Sequence, residues 1–134
     1  RVPVLLGAIG PKSLALAGEC ADGLLLDADF TVDGAREAAT ACLAARRAVG
    51  IDVAFETVAY QRFYRGPDAQ AELARETRPG GLDAALAGSA AEVAERVRAM
   101  AAVGVGTLVL MPSATEPDPA DYLRFAATEV ARLV

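Results

Sequence analysis

Short apolar runs alternate with longer amphipathic segments along this chain. The first run covers residues 2–6, and similar runs lie at residues 24–26, 53–63 and 105–111. The first, second and fourth runs are followed by segments whose apolar residues recur at helical spacing, and after the third run such a segment begins only at residue 89. Apolar runs of this kind are typical of parallel strands, which are buried on both faces. The order therefore predicts an α/β fold in which parallel βα units are joined by right-handed crossovers.

Capping residues mark the expected start of two helices. Ser89 and Glu92 form a capping box, in which each side chain bonds the backbone N–H of the other residue. Thr31 or Asp33 can cap the helix that follows the second apolar run. These signals predict helices over about residues 34–49 and residues 89–103.

The third apolar run alternates imperfectly. Phe55, Thr57 and Ala59 are expected to point to one face of the sheet, and Glu56 and Val58 to the other. Glu56 is then either a charge at the rim of the sheet or a polar group that faces an interior. Residues 64–88 follow no clear period, and we interpret them as an irregular helical insertion within a single domain of residues 1–134.

Composition excludes several classes of function. The net charge of −5 argues against nucleic acid or an anionic membrane as a partner, because both need a basic face. The chain has no histidine, so it lacks the commonest general base and the commonest transition-metal ligand. We therefore predict no metal site and assign no catalytic residue. Cys20 and Cys42 lie in different predicted helices, and we interpret them as free, buried thiols of a cytoplasmic protein.

The turn after the first apolar run has the features of an anion-binding site. Gly7 and Gly10 bracket this turn, and Pro11 stands where a helix is expected to begin. The N–H groups at a helix start and the positive end of its dipole attract anions. Lys12, the only lysine, falls in the first turn, where a cation opposes the dipole unless an anion is bound.

The spacing around this turn excludes two well-known phosphate-binding motifs. A P-loop requires glycine directly before the lysine, and Pro11 occupies that position. The dinucleotide pattern G-x-G-x-x-G is also absent from the turn. Two alternatives remain: the turn binds a phosphate, or its glycines only let the strand and the helix pack closely.

Two carboxylates and a methionine lie where predicted strands end. Asp27 and Asp29 follow the second apolar run, and Met111 closes the fourth. Parallel α/β proteins bind ligands at the carboxyl ends of their strands. The aspartates therefore either line the mouth of a pocket or belong to a solvated loop, and Met111 is expected to cover the core.

Residues 2–26 resemble a known family. The stretch Gly-Pro-Lys-Ser-Leu-Ala-Leu-Ala-Gly-Glu-Cys-Ala-Asp-Gly, residues 10–23, is similar to a segment of the luciferase-like monooxygenase superfamily. The closest similarity is to its F420-dependent methylenetetrahydromethanopterin-reductase-like branch. Residues 87–96 and 104–110 resemble the last helix and strand of the same family. The superfamily includes flavin-dependent monooxygenases and oxidoreductases that use the deazaflavin F420.

The resemblance implies a fold, a cofactor and a set of site residues. The fold would be the C-terminal half of an eight-stranded (β/α) TIM barrel, and the cofactor would be F420 or FMN. Asp27, Asp29 and Met111 would lie at the substrate side of the pocket. The residues implied to hold the cofactor phosphate form one continuous segment: Ala8, Ile9, Gly10, Pro11 and Lys12.

The length of the chain departs from the family. A barrel of this type typically needs about 200 residues or more, and this sequence has 134. We expect one of three arrangements: a part of a longer oxidoreductase, a half-barrel that pairs with a missing N-terminal half or with a second copy of itself, or an open sheet. We expect no turnover from this chain alone. The alternative function is a non-catalytic half-barrel that serves as a structural or assembly module.

Overall fold

The computed structural model describes residues 1–65, 68–76 and 82–134. The strands are β1 Leu5–Gly7, β2 Gly23–Leu26, β3 Glu56–Tyr64, β4 Leu86–Ala87 and β5 Thr107–Met111. The α-helices are α1 Pro11–Cys20, α2 Val32–Ala48, α3 Ala69–Glu76, α4 Ala90–Ala102 and α5 Pro119–Phe125. A 3-10 turn covers Leu82–Ala84, and a π-helical turn covers Ala126–Val130. Part of the expected insertion, at residues 66, 67 and 77–81, lies outside the described residues.

Every strand pairing in the described part of the chain is parallel, which confirms the predicted class of fold. β1 pairs with β2, β2 with the first half of β3, and β5 with the middle of β3. The last two residues of β3, Phe63 and Tyr64, pair with β4. β4 has only two residues and lies within residues 64–88, which the sequence analysis interpreted as a helical insertion, so it was not predicted.

One face of the sheet carries the core. Leu24 and Leu26 of β2 and Ala59 of β3 are fully buried against α1, α2 and α4. Farther along β3, Phe63 packs with Tyr122 and Phe125 of α5. We call this the covered face. Its residues on β3 agree with the predicted alternation.

The opposite face carries side chains that are only partly buried, except at the carboxyl end of β3, where Tyr64 is 3% exposed and packs with Ala69 and Leu73 of α3. We define this open face by residues at alternate positions of β1, β2, β3 and β5, and the strand register places them side by side. They are Leu5, Leu25, Val58, Tyr60, Arg62, Val109 and Met111. None of them belongs to a hydrophobic cluster in the described part of the chain. Glu56 is exposed at the amino end of this face and accepts a hydrogen bond from Thr107, so it is a rim charge.

The helix caps decide which residue begins α2 and confirm the predicted capping box of α4. Thr31, and not Asp33, caps α2, and its Oγ1 accepts a hydrogen bond from the N–H of Gly34 at 3.0 Å. Ser89 and Glu92 make the predicted capping box at the start of α4. The helix over about residues 34–49 therefore starts two residues earlier than predicted, because the cap is Thr31.

The two cysteines differ in their surroundings. Both are free thiols, and Cys42 is buried between α2 and α1, where its Sγ lies 3.1 Å from the carbonyl oxygen of Leu14. Burial raises the pKa of the Cys42 thiol. Cys20 is exposed, so the prediction that both thiols are buried is wrong for this residue. The buried face of α1 is narrow, consisting of Leu14, Ala17 and Gly18, and Cys20 lies outside it.

Two glycines are required by packing between elements. A Cβ at Gly18 would lie 2.1 Å from the carbonyl oxygen of Cys42, so this glycine lets α1 and α2 approach closely. A Cβ at Gly23 would lie 2.4 Å from the carbonyl oxygen of Glu56, across the β2–β3 pairing. Arg46, which is 4% exposed, donates to three backbone carbonyls around this region. In residues 2–26, the stretch that resembles the family, Gly18 and Gly23 therefore serve the packing of the fold.

Candidate functional site

A cavity of about 260 Å³ opens where β1 and β2 end. Among the described residues it is lined by Gly7, Ala8, Ile9, Leu25, Asp27 and Tyr60. Leu25 and Tyr60 belong to the open face, Gly7 is the last residue of β1, and the other residues belong to the loops that follow β1 and β2. The cavity therefore lies at the carboxyl ends of parallel strands, where α/β proteins bind ligands.

The turn before α1 borders this cavity. Ala8 is buried, Ile9 is 65% exposed, and both contribute to the lining. Pro11 and Lys12 begin α1 and are exposed. The predicted phosphate-binding segment is thus split between two positions: its first half lines the cavity, and its second half forms the adjoining start of the helix.

The hydrogen bonds at the start of α1 define which donors are available. The N–H of Gly10 donates to Ser13 Oγ at 3.2 Å, and this hydroxyl donates back to the Gly10 carbonyl at 2.9 Å. Pro11 has no N–H, so Lys12 and Ser13 carry the remaining N–H groups of the first turn, which have no intrahelical acceptor. Ser13 is therefore a residue of this turn that the sequence analysis did not single out, although its side chain controls the Gly10 N–H.

The two glycines that bracket this turn have no packing role that requires glycine. A Cβ at Gly10 would meet only Ser13 Oγ, at 3.9 Å, and a Cβ at Gly7 only the carbonyl oxygen of Leu25, also at 3.9 Å. Gly10 has an extended backbone, with φ −89° and ψ 159°, which any residue adopts. The alternative that both glycines serve close packing of strand and helix is not supported by these distances. The surface at Gly10 is instead free for a ligand to approach the backbone.

The predicted substrate-side residues occupy neighbouring places at the same end of the sheet. Asp27 lines the cavity, and its Oδ1 accepts a hydrogen bond from the N–H of Ala28. Asp29 lies in the same loop and forms an ion pair with Arg62, with 3.2 Å between Oδ1 and Nη1. Met111 is half-buried and is the register partner of Arg62 on the open face. The fold thus brings all three residues to the carboxyl edge of the sheet.

Two side chains at this edge were missed by sequence reasoning. Tyr60 lines the cavity, and Arg62 pairs with Asp29. Both point to the open face because they continue the even-numbered positions of β3, after Glu56 and Val58. The alternation was visible in the sequence, but it did not reveal that the open face carries the candidate site.

A second cavity of about 250 Å³ lies near the carboxyl end of β3, and more of its lining residues are charged. Its lining includes the carboxylates of Asp68, Glu72 and Glu116 and a single guanidinium, that of Arg65. Arg65 is already paired with Asp121 at 2.8 Å. Three carboxylates disfavour a phosphate more than the single carboxylate of the first cavity, Asp27, so the first cavity, which adjoins the start of α1, is the better candidate for an anionic ligand.

The fold is shared with solved structures of enzymes. An F420-dependent secondary alcohol dehydrogenase in complex with an F420–acetone adduct matches all of this chain, with a TM-score of 0.77 and 17% identity. A coenzyme F420-dependent tetrahydromethanopterin reductase from Methanopyrus kandleri matches 98% of the chain, with a TM-score of 0.73 and 20% identity. No protein-family model and no curated protein matches the sequence.

These matches confirm the predicted fold. The parallel sheet with its alternating helices corresponds to half of a TIM-barrel-like fold, and the chain spans 48% and 50% of the two solved structures. At such low identity the matches show the fold and not the activity. No helix in the described ranges has the length and apolar character needed to cross a membrane.

Proposed function

We propose that this chain is the C-terminal part of an F420-dependent oxidoreductase of the luciferase-like family. Its contribution is the turn that binds the cofactor phosphate. The observation that carries this proposal is the turn before α1: Ala8 and Ile9 line a cavity at the carboxyl edge of the sheet, and Gly10, which follows them, is not required to be glycine by packing. The similarity of the fold to two F420-dependent enzymes supports F420 as the cofactor. Neither structure supports FMN or monooxygenase chemistry.

The residues around the cavity suit the parts of a deazaflavin cofactor. The N–H groups of Lys12 and Ser13, together with the positive end of α1, favour a phosphate at the turn. Ala8, Ile9, Gly10 and Pro11 bring the backbone to this point, and Lys12 adds a positive charge. The apolar wall of Leu25 and the ring of Tyr60 suit a flat ring system. The Asp27 carboxylate can accept hydrogen bonds from cofactor hydroxyl groups, and its charge keeps the phosphate on the helix side.

These positions indicate which role belongs to the cofactor and which to this chain. Bound F420 supplies the chemistry of hydride transfer at its ring. In our proposal this chain binds the phosphate, orients the ring along the open face, and places Asp29 and Met111 on the substrate side. It has no histidine, and none of the residues above is assigned an acid–base role. We therefore propose that the groups acting on the substrate lie outside this chain, and that the chain alone has no turnover.

The open face forms a closed site only when another protein segment or chain covers it. In our proposal this is the N-terminal half of the barrel, with a second copy of the chain as the alternative partner. The alternating apolar residues of the open face, Leu5, Leu25, Val58, Val109 and Met111, are partly exposed and suit such a contact. A non-catalytic assembly module would use the same face, so binding of the cofactor decides between the two functions.

The test is the substitution Gly10→Val in this chain and in the chain joined to an N-terminal half-barrel. A valine side chain at this position covers the approach to the first-turn N–H groups, while the fold has room for its Cβ. We expect the affinity for F420, measured by fluorescence titration, to fall at least tenfold. Gly106→Val is the matched control, because a Cβ there also meets its nearest atom at 3.9 Å, at the amino edge of the sheet.

Each outcome of this titration has a clear meaning. Loss of F420 binding in Gly10→Val but not in Gly106→Val supports the phosphate-binding turn. Equal F420 binding by the unsubstituted protein, Gly10→Val and Gly106→Val contradicts that assignment. If neither the chain nor the joined protein binds F420, the proposed function is wrong and the assembly module becomes the better hypothesis.

A further inference from the structure

Arg62 occupies an unusual place on the open face. It lies on β3 two residues beyond Tyr60, which lines the cavity, so it is about 7 Å farther towards the carboxyl edge. The pairing of β3 with β2 ends earlier, at Ala59. Arg62 therefore projects beside the loop that follows β2, and not beside another strand residue on that side.

Arg62 is the only cation that the described strands place on the open face. The other charged side chain on these strands is Glu56, six residues earlier on β3 and therefore about 20 Å away along the strand. The nearest strand neighbours of Arg62 on this face are Tyr60, Met111 and the buried Tyr64, and none of them carries a charge. The guanidinium is thus the single positive charge that the described strands place near the carboxyl edge of a largely apolar surface.

The guanidinium is held in place but uses little of its hydrogen-bonding capacity. Its side chain is 25% exposed, and Asp29, at 20% exposure, contacts it through one atom pair, Nη1 to Oδ1 at 3.2 Å. Among the described residues this is the only hydrogen bond that the Arg62 side chain makes. A guanidinium has five N–H donors arranged as a fork that matches carboxylate and phosphate groups. Four of these five donors therefore have no hydrogen-bond acceptor in the described part of the chain.

We infer that Arg62 binds an anionic oxygen group, a carboxylate or a phosphate, of a molecule that occupies the open face, and that Asp29 is the residue that positions it. This inference rests on the proposed function in placing F420 in the neighbouring cavity. The anionic group has two possible sources, which share the same chemistry. It belongs either to the tail of F420 or to the substrate.

Binding of two deazaflavins to the full chain, and to the chain joined to an N-terminal half-barrel, distinguishes these sources. The probes are F420 and its tail-free 8-hydroxy-5-deazaflavin, and the variant is Arg62→Met. If the cofactor tail supplies the anion, F420 binding weakens at least tenfold and binding of the tail-free compound does not change. Arg62→Lys keeps the charge but loses the fork, so its affinity should be intermediate. Arg36→Met, which removes an exposed arginine paired with Asp33 on α2, is the matched control.

The second arm needs no cofactor. In isotope-labelled wild-type protein, acetate and inorganic phosphate are added separately while the NMR resonance of the Arg62 Nε–H group is followed. If the substrate supplies the anion, we expect a saturable shift of this resonance and unchanged binding of both deazaflavins to Arg62→Met. This arm remains informative if Arg62→Met does not fold, because it uses the wild-type protein.

Asp29 is tested as a positioning residue by coupling. Asp29→Asn should weaken binding of the anionic molecule by less than Arg62→Met does. The double variant should match Arg62→Met alone, because Asp29 acts only through Arg62. Additive effects would show that Asp29 contacts the ligand independently.

The inference about Arg62 is overturned by either of two results. One is equal weakening of both deazaflavins by Arg62→Met. The other is unchanged F420 binding together with no saturable shift from acetate or phosphate. If the wild-type proteins bind neither deazaflavin, the proposed function fails, and the NMR titration still decides whether Arg62 binds anions.

Discussion

The two faces of the sheet are built from the same strands but differ in what their residues do. On the covered face, Leu24 and Ala59 are fully buried against helices. On the open face, their neighbours Leu25 and Tyr60 are only partly buried and line a cavity. Stability therefore depends mainly on the covered face, and the open face is available for binding.

The glycines of residues 2–26, the stretch that resembles the family, also fall into two groups: two are required for packing and two are not. Gly18 and Gly23 lie where a Cβ would overlap backbone atoms at 2.1 and 2.4 Å, so they serve the packing of helix and strand. Gly7 and Gly10 have no neighbour closer than 3.9 Å to such a Cβ. One short motif thus contains a structural pair and a pair that is free for binding.

The largest expected effect separates the two faces directly. Leu24→Ala removes a fully buried side chain and should lower the free energy of unfolding by about 3.5 kcal/mol, because it loses apolar burial and leaves a cavity. Leu25→Ala, one residue away on the open face, should cost about 1 kcal/mol or less. Urea unfolding followed by circular dichroism measures both. Equal losses would contradict the assignment of the faces.

A smaller effect separates the two pairs of glycines. In a helix, Gly→Ala normally stabilises by about 1 kcal/mol, but at Gly18 the new Cβ overlaps the carbonyl of Cys42. We expect Gly18→Ala to destabilise by about 2 kcal/mol, since α1 and α2 must move apart. Gly10→Ala should change stability by less than about 1 kcal/mol, through the weaker capping by alanine. A stabilised Gly18→Ala protein would show that the helices separate easily.

The smallest effect concerns the amino edge of the sheet, opposite the candidate site. Asp22 accepts a hydrogen bond from the N–H of Val4 and pairs with Arg1, both at 2.8 Å. The hydrogen bond from Val4 and the charge of Arg1 hold the pKa of Asp22 below its usual value of 3.8, although burial raises it. The carboxylate therefore stabilises the fold above about pH 3.8, and this contribution disappears as the pH falls through the lower folded-state pKa.

Thermal unfolding across pH measures this contribution. The midpoint of Asp22→Asn should lie below that of the wild type at pH 7, and the two should converge below pH 3.8. Asp52→Asn, at an exposed loop residue, is the control. A constant difference between Asp22→Asn and the wild type at all pH values would mean that the charge of Asp22 does not contribute.

Much of the fold could be predicted from the sequence because local signals agreed with the final packing. The capping box at Ser89 and Glu92 and the alternation along β3 act over a few residues, and the structure contains both. β4 could not be predicted in this way, because two residues form a strand only when β3 provides a partner. The exposure of Cys20 was also missed, since it depends on how narrow a face α1 buries.

The sequence by itself determined the parallel βα order, the glycine turn before α1 and the resemblance that led to F420. Only the tertiary structure decided which glycines are free for a ligand, because close approach depends on atoms far apart in the chain. It also brought Asp29 beside Arg62, 33 residues later, and placed both at the edge where Asp27 and Tyr60 line the cavity. The pairing of parallel strands, which aligns their carboxyl ends, is the physical reason that these distant residues meet.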